Sequence, residues 1–175
     1  TSNGKFIGPE VPFGHVMGTY HDEPVLLIES SMGNRALSFD FRPPSSGKTE
    51  EEKDNKYCGF EYNAMIEGVH KTLKNIDKVV PDYKGQGYEI SGFVWFQGWN
   101  DMVGSDTYPN RANLGGYDAY SEVLTHFIRD VRKDLKTPEL PFVIGVMGTG
   151  GPVADYTPDK KRYAGIHQNF RDAMA

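Results

Sequence analysis

Residues 92–101, GFVWFQGWND, constrain this chain more than any other stretch. Phe93, Val94, Trp95 and Phe96 form an unbroken apolar run, too short for a helix core and rich in aromatic and branched residues. The run predicts a strand covered on both faces. Gln97, Gly98, Trp99, Asn100 and Asp101 follow without a break. A buried strand thus delivers two amides, a carboxylate and a glycine to its carboxyl end. Open α/β sheets bind ligands at that edge, because the sheet fixes the strand ends while the loops beyond are free to carry chemistry.

The flanking patterns build the rest of a sheet. Phe13, Val16, Met17 and Tyr20 have the spacing of one face of a short helix. Val25 to Ile28 is a second apolar run, read as a buried parallel strand that opens onto Glu29, Ser30, Ser31, Met32, Gly33, Asn34 and Arg35. Residues 40–55 are polar and proline-rich and predict an exposed loop. Tyr62, Ile66, Val69, Leu73, Ile76 and Val80 then alternate spacings of four and three, the stripe of a long helix stopped by Pro81. A second amphipathic helix runs from about Tyr117 to Leu135, with Tyr120, Val123, Leu124, Phe127, Ile128, Val131 and Leu135 inward. Phe142 to Met147 reads as a third buried strand, opening onto Gly148, Thr149, Gly150 and Gly151. Residues 162–175 read as a final helix. Strands alternating with helices of this length predict an α/β fold with a parallel sheet covered on both faces.

At 175 residues the chain has the size of one domain. A net charge of -5 without a basic patch argues against a nucleic-acid partner. No apolar run is long enough to cross a bilayer, and the opening residues have neither the basic nor the apolar section of a signal peptide, as a processed secreted protein also would not. Cys58 is the one cysteine, so the sequence forms no internal disulfide. No spacing calls for a metal or an organic cofactor.

Two loops carry the candidate chemistry, Ser30 to Arg35 and Gln97 to Asp101. If their strands are near neighbours, Gly33 can donate a backbone N–H and Asn100 a side-chain N–H to one developing oxyanion, as acyl transfer requires. The same residues also suit a plainer role, with Gly33 and Asn34 in a turn and Asn100 and Asp101 capping the next helix.

Six blocks in order, GPEVPFGHVMG, DEPVLLIESSMGNRAL, DFRPPSSG, GQGYEISG, GFVWFQGWND and HFIRDVRKDL, span most of residues 8–151. In them the chain resembles the sialate O-acetylesterase-like carbohydrate esterases of the SGNH hydrolase superfamily. The resemblance implies a three-layer α/β/α flavodoxin-like fold and a serine esterase that removes acetyl groups from sugars. It implies an oxyanion hole made by the nucleophile's own N–H, by Gly33 and by Asn100 of the Gly98-Trp99-Asn100-Asp101 pattern. Asn34, Arg35, Gln97, Trp99 and Asp101 are then substrate-binding or supporting residues, and the substrate is an acetylated carbohydrate.

Two family motifs do not occur in these residues: the Gly-Gln-Ser-Asn-Met type segment bearing the nucleophile and the Asp-x-x-His bearing the base. Relatives also often have lysine where Glu29 stands. The flavodoxin-like order puts the first strand at the centre of the sheet. A sheet lacking that strand and its C-terminal segment leads to the expectation that further segments of one parent protein complete the domain. The alternative is a non-catalytic domain of the same fold that binds glycan or a protein partner.

The remaining candidates have plainer accounts. Ser30 and Ser31 lie outside any Gly-x-Ser-x-Gly elbow and have no histidine evidently placed to activate them. His167 sits among helical residues and reads as a packing or surface group rather than the base. Glu67 and His70 form one E-x-x-H pair where bundle metal sites need two. Residues 48–56 read as a solvated loop. Trp95 reads as core, and Trp99 as either a sugar-stacking platform or a lid over the sheet edge.

Overall fold

A computed structural model describes residues 8–175, which fall into two compact units, residues 8–33 with 67–88 and residues 34–66 with 89–175. All the fully buried apolar side chains described belong to the second unit.

The first unit contains helix α1 (Glu10–Tyr20), which includes the predicted face but buries none of its residues. The strand predicted at Val25 to Ile28 does not form: these residues have no regular structure, and Val25 and Leu27 are exposed. A short apolar run becomes a strand only when a neighbouring strand takes up its backbone hydrogen bonds, and among the described residues this run has none. Glu29 to Arg35 is therefore a loop that follows irregular chain, not a strand end.

Helix α2 (Phe60–Lys74) carries Glu61 in its first turn and Lys71 and Lys74 in its last, an arrangement that suits the helix dipole. It stops short of the predicted Val80. Asn75 turns its side-chain amide back onto the Lys71 carbonyl at 2.8 Å and leaves the helical conformation. Asparagine does this readily because its side chain competes with the helical ladder. A single 3-10 turn, Ile76–Lys78, continues the chain towards Pro81.

In the second unit, β1 (Phe93–Trp95) and β2 (Phe142–Ile144) pair in parallel, with Phe93 opposite Phe142 and Trp95 opposite Ile144. Among the described residues the sheet has two strands where the sequence predicts three. Helix α4 (Asp118–Asp134) packs through Tyr120, Leu124, Phe127 and Val131, all buried and spaced four, three and four apart. Phe127 is its centre, with ring centroids at 4.4 Å from Trp95, 5.6 Å from Tyr62, 6.0 Å from Phe93 and 6.2 Å from Phe142. A fully buried ring of this kind contributes about 1.5–3 kcal/mol. Helix α5 (Ala164–Met174) inserts Phe170 against Tyr117 and Tyr120, at 4.8 and 4.7 Å.

The sheet is not covered on both faces. Trp95 is 4% exposed and Phe96 76%, with Val94 and Val143 exposed as well. The strand alternates in burial because its packed neighbours lie on one side, and successive side chains point to opposite sides. The 40–55 segment is also less exposed than its composition predicts. Phe41 is buried with its ring edge-on to Trp95, Pro43 is buried, and Asp130 accepts the Ser45 N–H at 2.8 Å.

Candidate active site

The site is built at the end of β1. Gly98 lets the chain leave the strand, since a Cβ there would lie 2.7 Å from Met147 Sδ and 2.8 Å from the Phe170 ring. Helix α3 (Trp99–Val103) begins at once, with Gly98 in the N-cap position and no side chain capping it. The capping role open to Asn100 and Asp101 in sequence is thus not taken. At the far end, the Tyr117 hydroxyl donates to the Met102 carbonyl and Arg111 Nη1 to the Val103 carbonyl, which satisfies groups that a helix terminus leaves without partners.

Asp101 is 1% exposed. Its Oδ2 accepts from the Leu37 N–H at 2.7 Å and from Gln97 Nε2 at 2.7 Å. Its Oδ1 accepts from the Ser38 N–H at 3.0 Å and the Tyr108 hydroxyl at 3.1 Å. Burial, and then the charge of Asp101, push the Tyr108 hydroxyl pKa far above its ordinary value. The second Gln97 N–H goes to the Arg35 carbonyl at 3.0 Å. Asn100 Nδ2 donates to Asn34 Oδ1 at 3.1 Å, and Asn34 itself has a left-handed backbone, φ 61°, a conformation asparagine tolerates better than most residues. The Arg35 guanidinium is engaged by Glu61 at 2.8 Å and Asp40 at 3.5 Å, and the Glu61 hydrogen bond raises its pKa.

The segment around Asn34 and the turn around Asn100, 62 to 66 positions apart in sequence, are therefore stitched together at several points. The family model for carbohydrate esterase, sialic acid-specific acetylesterase, matches residues 1–172. The chain belongs to this family. It is of the carbohydrate esterase class and of the sialate O-acetylesterase type. No curated protein and no solved structure matches it.

Within this family member, five of the seven residues singled out in sequence share one network: Asn34, Arg35, Gln97, Asn100 and Asp101. Trp99 adjoins them in α3 and is 57% exposed, which leaves its ring open to solvent. Gly33 belongs to the first unit and is exposed, and a Cβ built there would meet no atom within 4 Å. Ser31, also in the first unit, donates its hydroxyl to Glu29 at 2.5 Å.

Sequence reasoning missed Tyr108, Tyr117 and Arg111, all in or next to a stretch that reads as loop. The one hint was the presence of large aromatic residues in a segment otherwise made of turn formers. It also missed the backbone amides of Leu37 and Ser38, which no residue type announces. Among the described residues no group of three or more His, Cys, Asp or Glu is gathered to hold a metal ion, and no helix is long and apolar enough to cross a membrane.

Proposed function

We propose that this chain supplies oxyanion-hole loops of a serine-dependent carbohydrate O-acetylesterase. A serine outside these 175 residues attacks the acetyl carbonyl carbon, and the C=O electron pair moves onto the oxygen. The Asn100 carboxamide donates to that oxyanion. A histidine, also outside them, takes the serine proton and passes it to the sugar oxygen as the ester C–O bond breaks. Water then releases acetate from the acyl-enzyme by the same steps. The two-stranded sheet belongs, in this reading, to a three-layer flavodoxin-like sheet completed by other segments of the parent protein. The exposed apolar side chains of Val94, Phe96 and Val143 support that part.

The observation that carries the reading is the state of the Asn100 carboxamide. One of its two N–H groups is fixed by Asn34, and the other has no acceptor among the described residues. A donor oriented in advance and left unspent is what a developing negative charge needs, because no reorganisation is required as the charge forms. The test is Asn100→Ala in the full-length protein. Turnover of an O-acetylated sugar falls about 10²–10³-fold when one such donor is lost, and unchanged turnover removes Asn100 from the mechanism.

A further inference from the structure

We infer that Asp101 is the positioning residue of this site, holding the 34–38 segment against the α3 turn so that the Asn100 carboxamide is aimed, and never itself meeting substrate. The inference rests on the oxyanion-hole reading. Its support is the accounting of Asp101's acceptor capacity. A carboxylate offers about four lone-pair sites, and all are filled, by Leu37 N, Gln97 Nε2, Ser38 N and the Tyr108 hydroxyl. Nothing remains with which to bind a sugar hydroxyl or to accept a proton from one. Burial at 1% exposure closes the route as well.

The partners show what the carboxylate organises. Leu37 and Ser38 follow Asn34 by three and four residues, and their N–H groups converge on the two oxygens of one side chain. Gln97 bridges the same gap, giving one N–H to Asp101 and the other to the Arg35 carbonyl. Both its amide hydrogens are spent and its unpartnered Oε1 is buried, so Gln97 positions rather than binds. Tyr108 closes the far side and adds itself to the apparatus. Asn100 and Asp101 are adjacent in α3, so any shift of Asp101 moves the Asn100 amide relative to Asn34. A misplacement of about 1 Å in such a group is worth about 10²-fold in rate.

An asparagine at 101 cannot replace the carboxylate. With its NH₂ at the Oδ2 position it opposes both Leu37 N–H and Gln97 Nε2. With its NH₂ at the Oδ1 position the Tyr108 hydroxyl can turn and accept, but the Ser38 N–H is opposed. Either way at least one backbone donor loses its acceptor.

The experiment is a double-mutant cycle in the full-length protein, with kcat and KM measured on an O-acetylated sialic acid and on p-nitrophenyl acetate. Alongside it, the side-chain amide resonances of Asn100 are followed by NMR. Asp101→Asn is expected to lower kcat about 10–100-fold on both esters, the loss expected of misaligned groups, with KM within about twofold and the Asn100 amide resonances shifted or broadened. In the Asn100→Ala background the same substitution should cost less than about threefold, because groups acting as a unit are not additive. A multiplicative loss in that background, a rise in KM larger than the fall in kcat, or unmoved Asn100 amide resonances would overturn the inference. Wild-type turnover by Asn100→Ala would instead end the oxyanion reading, and the resonances would still decide whether Asp101 positions Asn100. If Asp101→Asn does not fold, Tyr108→Phe, which removes one of the four donors, replaces it with the same expectations in smaller measure.

Discussion

The two loops that leave the parallel strands of the second unit are fixed by opposite charges. After β1, the buried anion Asp101 gathers donors: two backbone N–H groups, one amide and one phenol. After β2, the cation Arg171 gathers acceptors. Its Nη2 donates to the Thr149 and Gly151 carbonyls at 2.6 Å each, and its Nε to the Met147 carbonyl at 3.2 Å. An anion that consumes N–H groups pins the backbone and leaves a side-chain amide, Asn100, presented outward. A cation that consumes carbonyls pins the loop through its acceptors instead. In the proposed reading the first loop carries the chemistry and the second supports it. The support is direct, since Gly98 of the first loop lies against Met147 of the second and against Phe170 of α5.

The sharpest way to break this contrast is at the junction. Gly98→Ala puts a methyl 2.7 Å from Met147 Sδ and 2.8 Å from the Phe170 ring, an overpacking that costs about 1–3 kcal/mol. Urea unfolding should show a lower midpoint at unchanged slope, and acetyl-ester turnover should fall with it if the junction aligns both loops. A midpoint equal to wild type would mean that the two loops are independent.

A smaller effect is expected from Arg171→Met, which removes the cation and keeps much of its length. The three carbonyls lie in a partly exposed loop and water can replace the guanidinium, so the loss stays near 1.5 kcal/mol, the low end for hydrogen bonds to a charged group. Turnover should change less than threefold, since the Asn100 turn is held by its own anion. A turnover loss approaching that of Asn100→Ala would show that the second loop takes part in the chemistry.

The smallest effect concerns His167 beside that loop. The Tyr156 hydroxyl lies 3.0 Å from the Thr149 carbonyl and 2.7 Å from His167 Nδ1, a hydrogen bond whose direction follows the imidazole tautomer. Tyr163 stacks on the imidazole with ring centroids 5.7 Å apart. Burial, and then the charge of Arg171, lower the His167 pKa below its ordinary 6.5. The folded state therefore binds fewer protons than the unfolded state between the two pKa values. The contribution of His167 to stability is complete above about 6.5 and declines as pH falls towards the folded value. Thermal melts at a series of pH values should show this decline in the wild type and a shallower one in His167→Gln.

The elements with strong periodicity were legible in the sequence. The 4-3-4 spacing of Tyr120, Leu124, Phe127 and Val131 is a local property, and α4 forms where it predicts. The aromatic run at Phe93 likewise forms β1, and residues 164–174 form α5 inside the predicted span. Val25 to Ile28 has the same local character as the β1 run yet forms no strand, because pairing depends on a partner that periodicity does not reveal. Burial of Phe41 and Pro43 inside a polar segment was hidden for a related reason. Composition averages over residues, whereas the core takes them one at a time.

The sequence by itself determined which residue types stand at the end of β1: an amide, a glycine, a tryptophan, an asparagine and an aspartate. It also carried the six blocks that resemble a carbohydrate esterase family, and membership follows over residues 1–172. Tertiary structure alone decided what each side chain spends its hydrogen bonds on. Asp101 takes four donors, two of them backbone N–H groups 64 and 63 positions away, and Gln97 gives its N–H groups to Asp101 and the Arg35 carbonyl, while Asn100 is turned by Asn34 and keeps a donor in reserve. The reason is physical: a side chain's identity fixes how many hydrogen bonds it can make, but its partners here lie up to 66 positions away and are chosen by how the chain packs.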